Sequence, residues 1–409
     1  MNRLFSFLVL IFALASCGRK RVPDSIIENN SYSFKAGEAS TTLTKAQEAM
    51  VVASNDFGFK VASRIKEKSF IFSPLSASIL LGMLGEGAEG ETAAQISRVL
   101  GFGDAGRQQV NEFSRNMMVI ADNSSEAVVR IANAIVLNKG YTLKDSFIKA
   151  VREYYDAKAV TMDFADPATL RYINGWASEK TNGLIPELLK EVDPGAFSYL
   201  MDALYFKGAW TEEFQQWKQD ADFFKEDGST SKVNMMNSLI REYPYCKTPV
   251  AQAVALDYKG GNYRMTLVLP SEGNKVSDVL SALGEGLWKD ISSALSGAPA
   301  IVYMPSFETA SDVPLKDILK SMGMTAAFSD ADFSRMTDSG VAVDDIFQKA
   351  KIKVDRYGTE AAAVTVAVVK ETAFPIMDEP LKIVADHPFI YLITERTTGA
   401  LLFVGVFAG

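Results

Sequence analysis

Four short, nearly unbroken apolar runs limit what this chain can fold into. They are Ile131–Leu137, Leu200–Phe206, Met265–Leu269 and Leu401–Phe407. Runs of this length, rich in β-branched and aromatic side chains, suit strands covered on both faces. Helical spacing lies between and before them. Met50, Ala53, Phe57 and Val61 recur at intervals of three and four, and Lys144–Tyr155 and Leu170–Thr181 are also helical stretches. Pro74, with its pre-set φ, opens a further helix through Ile79, Leu80, Met83 and Leu84 that stops at the glycine cluster 85–90. The pattern predicts a mixed α+β chain. No internal repeat or low-complexity block occurs, and no linker follows residue 42, so residues 43–409 read as one folded domain.

Few chemistries are open to it. There is one histidine, His387, and there are two cysteines, Cys17 and Cys246. A zinc site needs three or four closely spaced ligands, and a Ser-His-Asp or Cys-His site would have to use the single imidazole. We expect no catalytic residue, no metal and no cofactor, a structural role for His387 and an unpaired, partly buried thiol at Cys246. The net charge of −8 leaves no basic face for nucleic acid. Gly85-Glu86-Gly87-Ala88-Glu89-Gly90 matches GxGxxG. It follows a helix rather than a strand, however, and would set two glutamates against a pyrophosphate, so it is read as a loop between helices.

Residues 1–16 read as a secretory signal, with Arg3 before the apolar core Leu4–Ala13. Leu14-Ala15-Ser16-Cys17 resembles the lipobox of bacterial lipoproteins, which implies cleavage before Cys17 and lipid on its thiol. Residues 17–42 are polar and lack apolar periodicity, as a tether does. The expected location is the outer membrane or cell surface of a Gram-negative bacterium.

Gly358 to Val369 carries one charge, no proline and no large side chain. As a strand, one face would be Thr359, Ala361, Ala363, Thr365, Ala367 and Val369, all small and uncharged. Glu360 and the valines would lie on the other face. Gly358 offers a pivot. After Val369 the chain turns to Lys-Glu-Thr-Ala-Phe-Pro-Ile-Met-Asp-Glu-Pro, where proline and charge resist sheet pairing. Alone, such a run is more often a buried native strand than a mobile one.

Ordered motifs decide between these readings. Phe72-Ser73-Pro74-Leu75-Ser76, Ile173-Asn174-Gly175-Trp176 with Lys180-Thr181-Asn182-Gly183, and Ala203–Trp210 come first. Gly358-Thr359-Glu360-Ala361-Ala362-Ala363, His387-Pro388-Phe389-Ile390 and Leu402-Phe403-Val404-Gly405 follow. In this order they resemble the serpin family. The resemblance implies one domain of three β-sheets and eight or nine helices, metastable, with an exposed reactive-centre loop at about residues 358–380. It implies a monomer that irreversibly inhibits serine proteases as a suicide substrate, with papain-like cysteine proteases as a further target class. The rival is a non-inhibitory serpin acting as a surface carrier, chaperone or adhesin, whose hinge would carry bulky, charged or proline residues. Gly358, Thr359, Glu360, Ala361, Ala362, Ala363, Val364 and Thr365 would be the hinge. Ser73, Ser76, Asp202, Trp210 and Gln348 would control sheet opening.

The family places the bait bond about fourteen residues after the hinge glycine, the length that fills a new strand at ~3.3 Å per residue. That count reaches Thr372–Ala373, while counting back from His387 lands nearer Met377. Lys370–Glu371 would suit a trypsin-like pocket, and Val368, Val369 and Thr372 would suit elastase- or subtilisin-like pockets, so specificity should be broad. The chain departs from the family at four positions. Asp202 replaces asparagine, Gln348 replaces a histidine and Arg356 replaces a glutamate, while Ser306 stands where some relatives have that glutamate's lysine partner.

Overall fold

The computed structural model describes residues 40–122, 125–360 and 379–409. The expected signal segment and nearly all of the tether lie outside them, as do Ala361 to Thr365 and every candidate bait residue.

Each apolar run becomes a strand or its centre: Ala127–Asn138, Ser198–Ala209, Tyr263–Pro270 and Leu401–Phe407. The described strands form two hydrogen-bonded sheets, of ten and six strands. The larger one has two parts joined by Ser296–Pro305. The first half of that strand pairs with Arg241–Lys247, and the second half with Thr230–Asn237 and, in parallel, with Leu381–Val384. With the six-stranded sheet these make the three sheets of the expected fold.

Helix Lys45–Ala62 starts where Thr44 and Gln47 form a reciprocal capping box. Helix Pro74–Gly87 starts at Ser73, whose hydroxyl accepts from the Ser76 amide at 3.3 Å. It is apolar around nearly its whole circumference and accordingly central, with Ile79, Leu81 and Met83 all but fully buried. It also runs further than expected. Gly85 and Gly87 belong to it, and only two residues separate it from helix Gly90–Leu100. Glu86 faces inward at 2.8 Å from Asn111 Nδ2, with the Arg107 and Arg335 guanidiniums beside it. The buried carboxylate is thus partnered, and the GxGxxG match is helix packing.

The six-stranded sheet runs Phe307–Pro314, Phe347–Asp355, Gly358–Thr359, Ser198–Ala209, Ala127–Asn138, Lys158–Met162. One face lies over the main core. The other is covered by helix Pro167–Lys180, where Met201 and Ala203 pack with Ile173 and Trp176. Burial on both faces accounts for the continuous apolar runs.

Candidate functional site

Strands Phe347–Asp355 and Ser198–Ala209 run in the same direction. At one end a two-residue strand lies between them. Gly358–Thr359 pairs antiparallel with both, Thr359 standing opposite Val354 on one side and Gly208 on the other. Beyond this wedge no described strand fills the space. A cavity of about 320 Å³ opens there, lined among others by Leu80, Leu84, Leu200, Asp202, Phe347 and Gln348.

The turn leading into the wedge is held from below. Trp210 Nε1 donates to the Asp355 carbonyl at 2.9 Å, and the Trp210 amide donates to the Tyr357 carbonyl at 2.9 Å. The Phe214 amide reaches the Arg356 carbonyl at 2.8 Å. The Trp210 ring stacks on Tyr258 with centroids 4.5 Å apart. Tyr258 in turn meets Thr359, hydroxyl to hydroxyl, at 2.7 Å. Both are fully buried, and desolvation drives the Tyr258 phenol far above its ordinary pKa, so it stays protonated.

Gly358 sits in the sheet with φ +152°, where an added Cβ would lie 2.1 Å from the Gly208 carbonyl oxygen. Only glycine fits so close to that backbone. The expectation that Gly358 is the pivot needs correcting, because its backbone is already committed to the strand. The strand ends at Thr359, and the next residue, Glu360, has a left-handed φ of +54°. A non-glycine residue there costs about 1–2 kcal/mol, and the native hinge holds that strain. The Glu360 amide still donates to the Lys353 carbonyl at 3.0 Å. Burial raises its carboxyl's pKa, an effect opposed by Lys353 and Lys351.

At the far end of the slot three of the five expected opening residues meet. Gln348 accepts from the Ser73 amide at 2.6 Å, donates to the Ser73 carbonyl at 3.2 Å and reaches the Ser76 hydroxyl at 3.4 Å. The carboxamide thus ties one edge of the slot to the start of the central helix. Asp202 lines the same cavity but joins no such network. Its Oδ2 is buried without a hydrogen-bond partner, and desolvation raises its pKa well above the ordinary value. Trp210 lies instead at the wedge end. The absent ion pair is replaced by separate local contacts. The Arg356 guanidinium lies over the Tyr357 ring, 4.4 Å from its centroid, and the Ser306 amide donates to the Asn234 carbonyl at 2.8 Å.

Tyr258 was not singled out from sequence, because only the fold brings it to Thr359. Cys246 is more buried than expected, its thiol 3.8 Å from the Ile291 carbonyl and its pKa raised by desolvation. His387 Nδ1 lies 3.0 Å from Asp386 Oδ1.

Residues 52–408 match the family model described as "Serpin (serine protease inhibitor)". An uncharacterized serpin-like protein of Thermococcus kodakarensis is 32% identical over 390 residues, which are 94% of this chain and 91% of that protein. The native-state structure of the thermophilic serpin tengpin superposes with a TM-score of 0.81 at 26% identity, covering 90% of this chain and 95% of tengpin. Thyroxine-binding globulin in complex with thyroxine superposes at 0.79 with 26% identity, covering 88% of this chain and 99% of that one.

Proposed function

The chain belongs to the serpin family, most of whose members inhibit proteases rather than catalyse, and on that premise we propose that it is a single-use inhibitor of serine proteases. In this reading a protease serine attacks the carbonyl of the bait residue. The amine of the following residue leaves, and the loop becomes esterified to the protease. The loop then enters the slot between Ser198–Ala209 and Phe347–Asp355 and carries the protease away before water can release it. The serpin provides substrate and spring, and no catalytic group.

The observation that supports this reading is the wedge itself. Gly358–Thr359 already lies in the slot, antiparallel to both walls. Continued in the same register, Ala361 would stand opposite Ile352 and Phe206, Ala363 opposite Ala350 and Leu204, and Thr365 opposite Gln348 and Asp202. All of these share the face on which Thr359 is buried. Small uncharged side chains fit over such a core, and each inserted residue gains backbone bonds to strands that lack them there. Papain-like cysteine proteases, which also form an acyl intermediate, fall within the proposal. Cys17 is proposed as the lipidated mature N-terminus, holding the protein to the outer membrane or cell surface, with the mass of the N-terminal peptide as its test.

Incubation with trypsin and with an elastase, followed by denaturing electrophoresis, tests the function. An inhibitor gives a covalent band at the summed mass less the C-terminal peptide released on cleavage. Fragments alone would favour a carrier.

A further inference from the structure

Beside the point where the loop returns to the body lies an aromatic surface that the trapping mechanism does not use. Trp217 sits on Gln215–Phe224, the terminal strand of the ten-stranded sheet, at a break in register between Gln216 and Lys218. It is 53% exposed. Its ring meets that of Tyr303 edge-on, with centroids 4.8 Å apart. Tyr303 belongs to Ser296–Pro305, whose alternate residues Ala300, Val302 and Met304 point into the core and are fully buried. Tyr303 and Ile301 therefore face outward. Opposite them, on Leu381–Val384, stand Val384 and Lys382, so Trp217, Tyr303, Ile301 and Val384 make one outward apolar patch.

Leu381–Val384 is the strand into which the bait loop runs. From a bait bond at Thr372–Ala373 to Leu381 the chain spans at most about 30 Å, and from Met377 about 13 Å. An enzyme gripping a bond within that reach of Leu381 can touch this face. An exposed tryptophan backed by a tyrosine is also the side-chain chemistry of interface hot spots, since each offers a large apolar area at low entropic cost. We propose that the Trp217–Tyr303 patch is a second docking surface for the attacking protease, contacting an apolar part of its surface beside the substrate cleft. The patch would set how fast, and with which proteases, the bait bond is engaged. This rests on the inhibitory reading above, and the occupant is the protease rather than a second copy of this chain.

The test compares wild type with Trp217→Ala and Trp217→Gln. It measures the second-order rate of covalent complex formation and the stoichiometry of inhibition with trypsin and with an elastase. Both variants should slow complex formation about tenfold with at least one protease, leaving the stoichiometry unchanged because insertion is untouched. A structural defect would instead raise the stoichiometry and overturn the proposal. Unchanged rates in both variants, with complexes still formed, would overturn the docking surface alone. No complex from wild type would overturn the inhibitory reading with it. A wild-type dimer that Trp217→Ala converts to monomer, at unchanged rates, would assign the patch to self-association instead.

Discussion

The hydroxyl of Thr359 lies 2.7 Å from that of Tyr258, both side chains being fully buried, and this pair holds the first inserted residue of the hinge in the sheet. Removing one partner strands a buried hydroxyl, at about 1–3 kcal/mol. Removing both leaves no orphan. Tyr258→Phe and Thr359→Val should each lower the urea midpoint, and the double variant should lose less than the sum, with a coupling of about 1 kcal/mol. Strictly additive losses would show that the pair does not anchor the hinge.

Ala361→Arg places a charge on the face that must enter the core beyond the wedge, where burial without a partner costs several kcal/mol. Insertion should slow, release of the protease should win, and the stoichiometry of inhibition should rise at least several-fold. An Ala361→Arg variant that inhibits as efficiently as wild type would sink the insertion mechanism.

Glu360 carries a left-handed φ just past the end of the Gly358–Thr359 strand, and an inserted strand must straighten it. Glu360→Gly removes that strain from the native state, so its thermal midpoint should rise and its loop should insert more slowly. Glu360→Val penalises the left-handed conformation further and favours the strand, so both effects should reverse. The two substitutions moving midpoint and trapping rate in the same direction would contradict this account.

Asp202 makes stability depend on pH. Burial raises its pKa in the folded protein, so folding favours the protonated carboxyl. Near and below pH 3.8, the ordinary aspartate value, both folded and unfolded chains hold the proton and Asp202 contributes no penalty. As pH rises from there towards the folded pKa, the unfolded state loses its proton first and native stability falls, by up to about 1.4 kcal/mol per unit of displacement. Asp202→Asn should therefore stabilise the protein at pH 7–8 by at least about 1 kcal/mol, with the advantage disappearing towards pH 3.5. Equal urea midpoints for the two proteins at pH 7.5 would show that the carboxyl is not under this penalty.

Cleavage by trypsin and by an elastase should fall within Val368 to Met377, at Lys370–Glu371 for trypsin and near Val368, Val369 or Thr372 for elastase. Mass spectrometry of the peptide released from each complex reads the bond. Clean cleavage there should also raise the thermal midpoint sharply, because the loop becomes a central strand. One shared cut outside that stretch would refute the assignment.

Local chemistry determined much of this protein. Apolar run length marked the strands at Ile131–Leu137 and Leu401–Phe407, and Pro74 behind Ser73 marked the start of the central helix. Strand alternation put Thr359 on the inward face, where it is found. These signals are legible because a strand or helix imposes its period on neighbouring residues. Only the tertiary structure decided what those elements meet. Sequence period says which face a residue takes, not which strand lies beside it. Nothing local pairs Thr359 with Tyr258, 101 positions away, or Gln348 with Ser73, 275 away. The pivot moved from Gly358 to Glu360 for the same reason. Gly358 is pressed against Gly208 from across the sheet, and that contact, not the intrinsic freedom of glycine, sets where the chain can turn out.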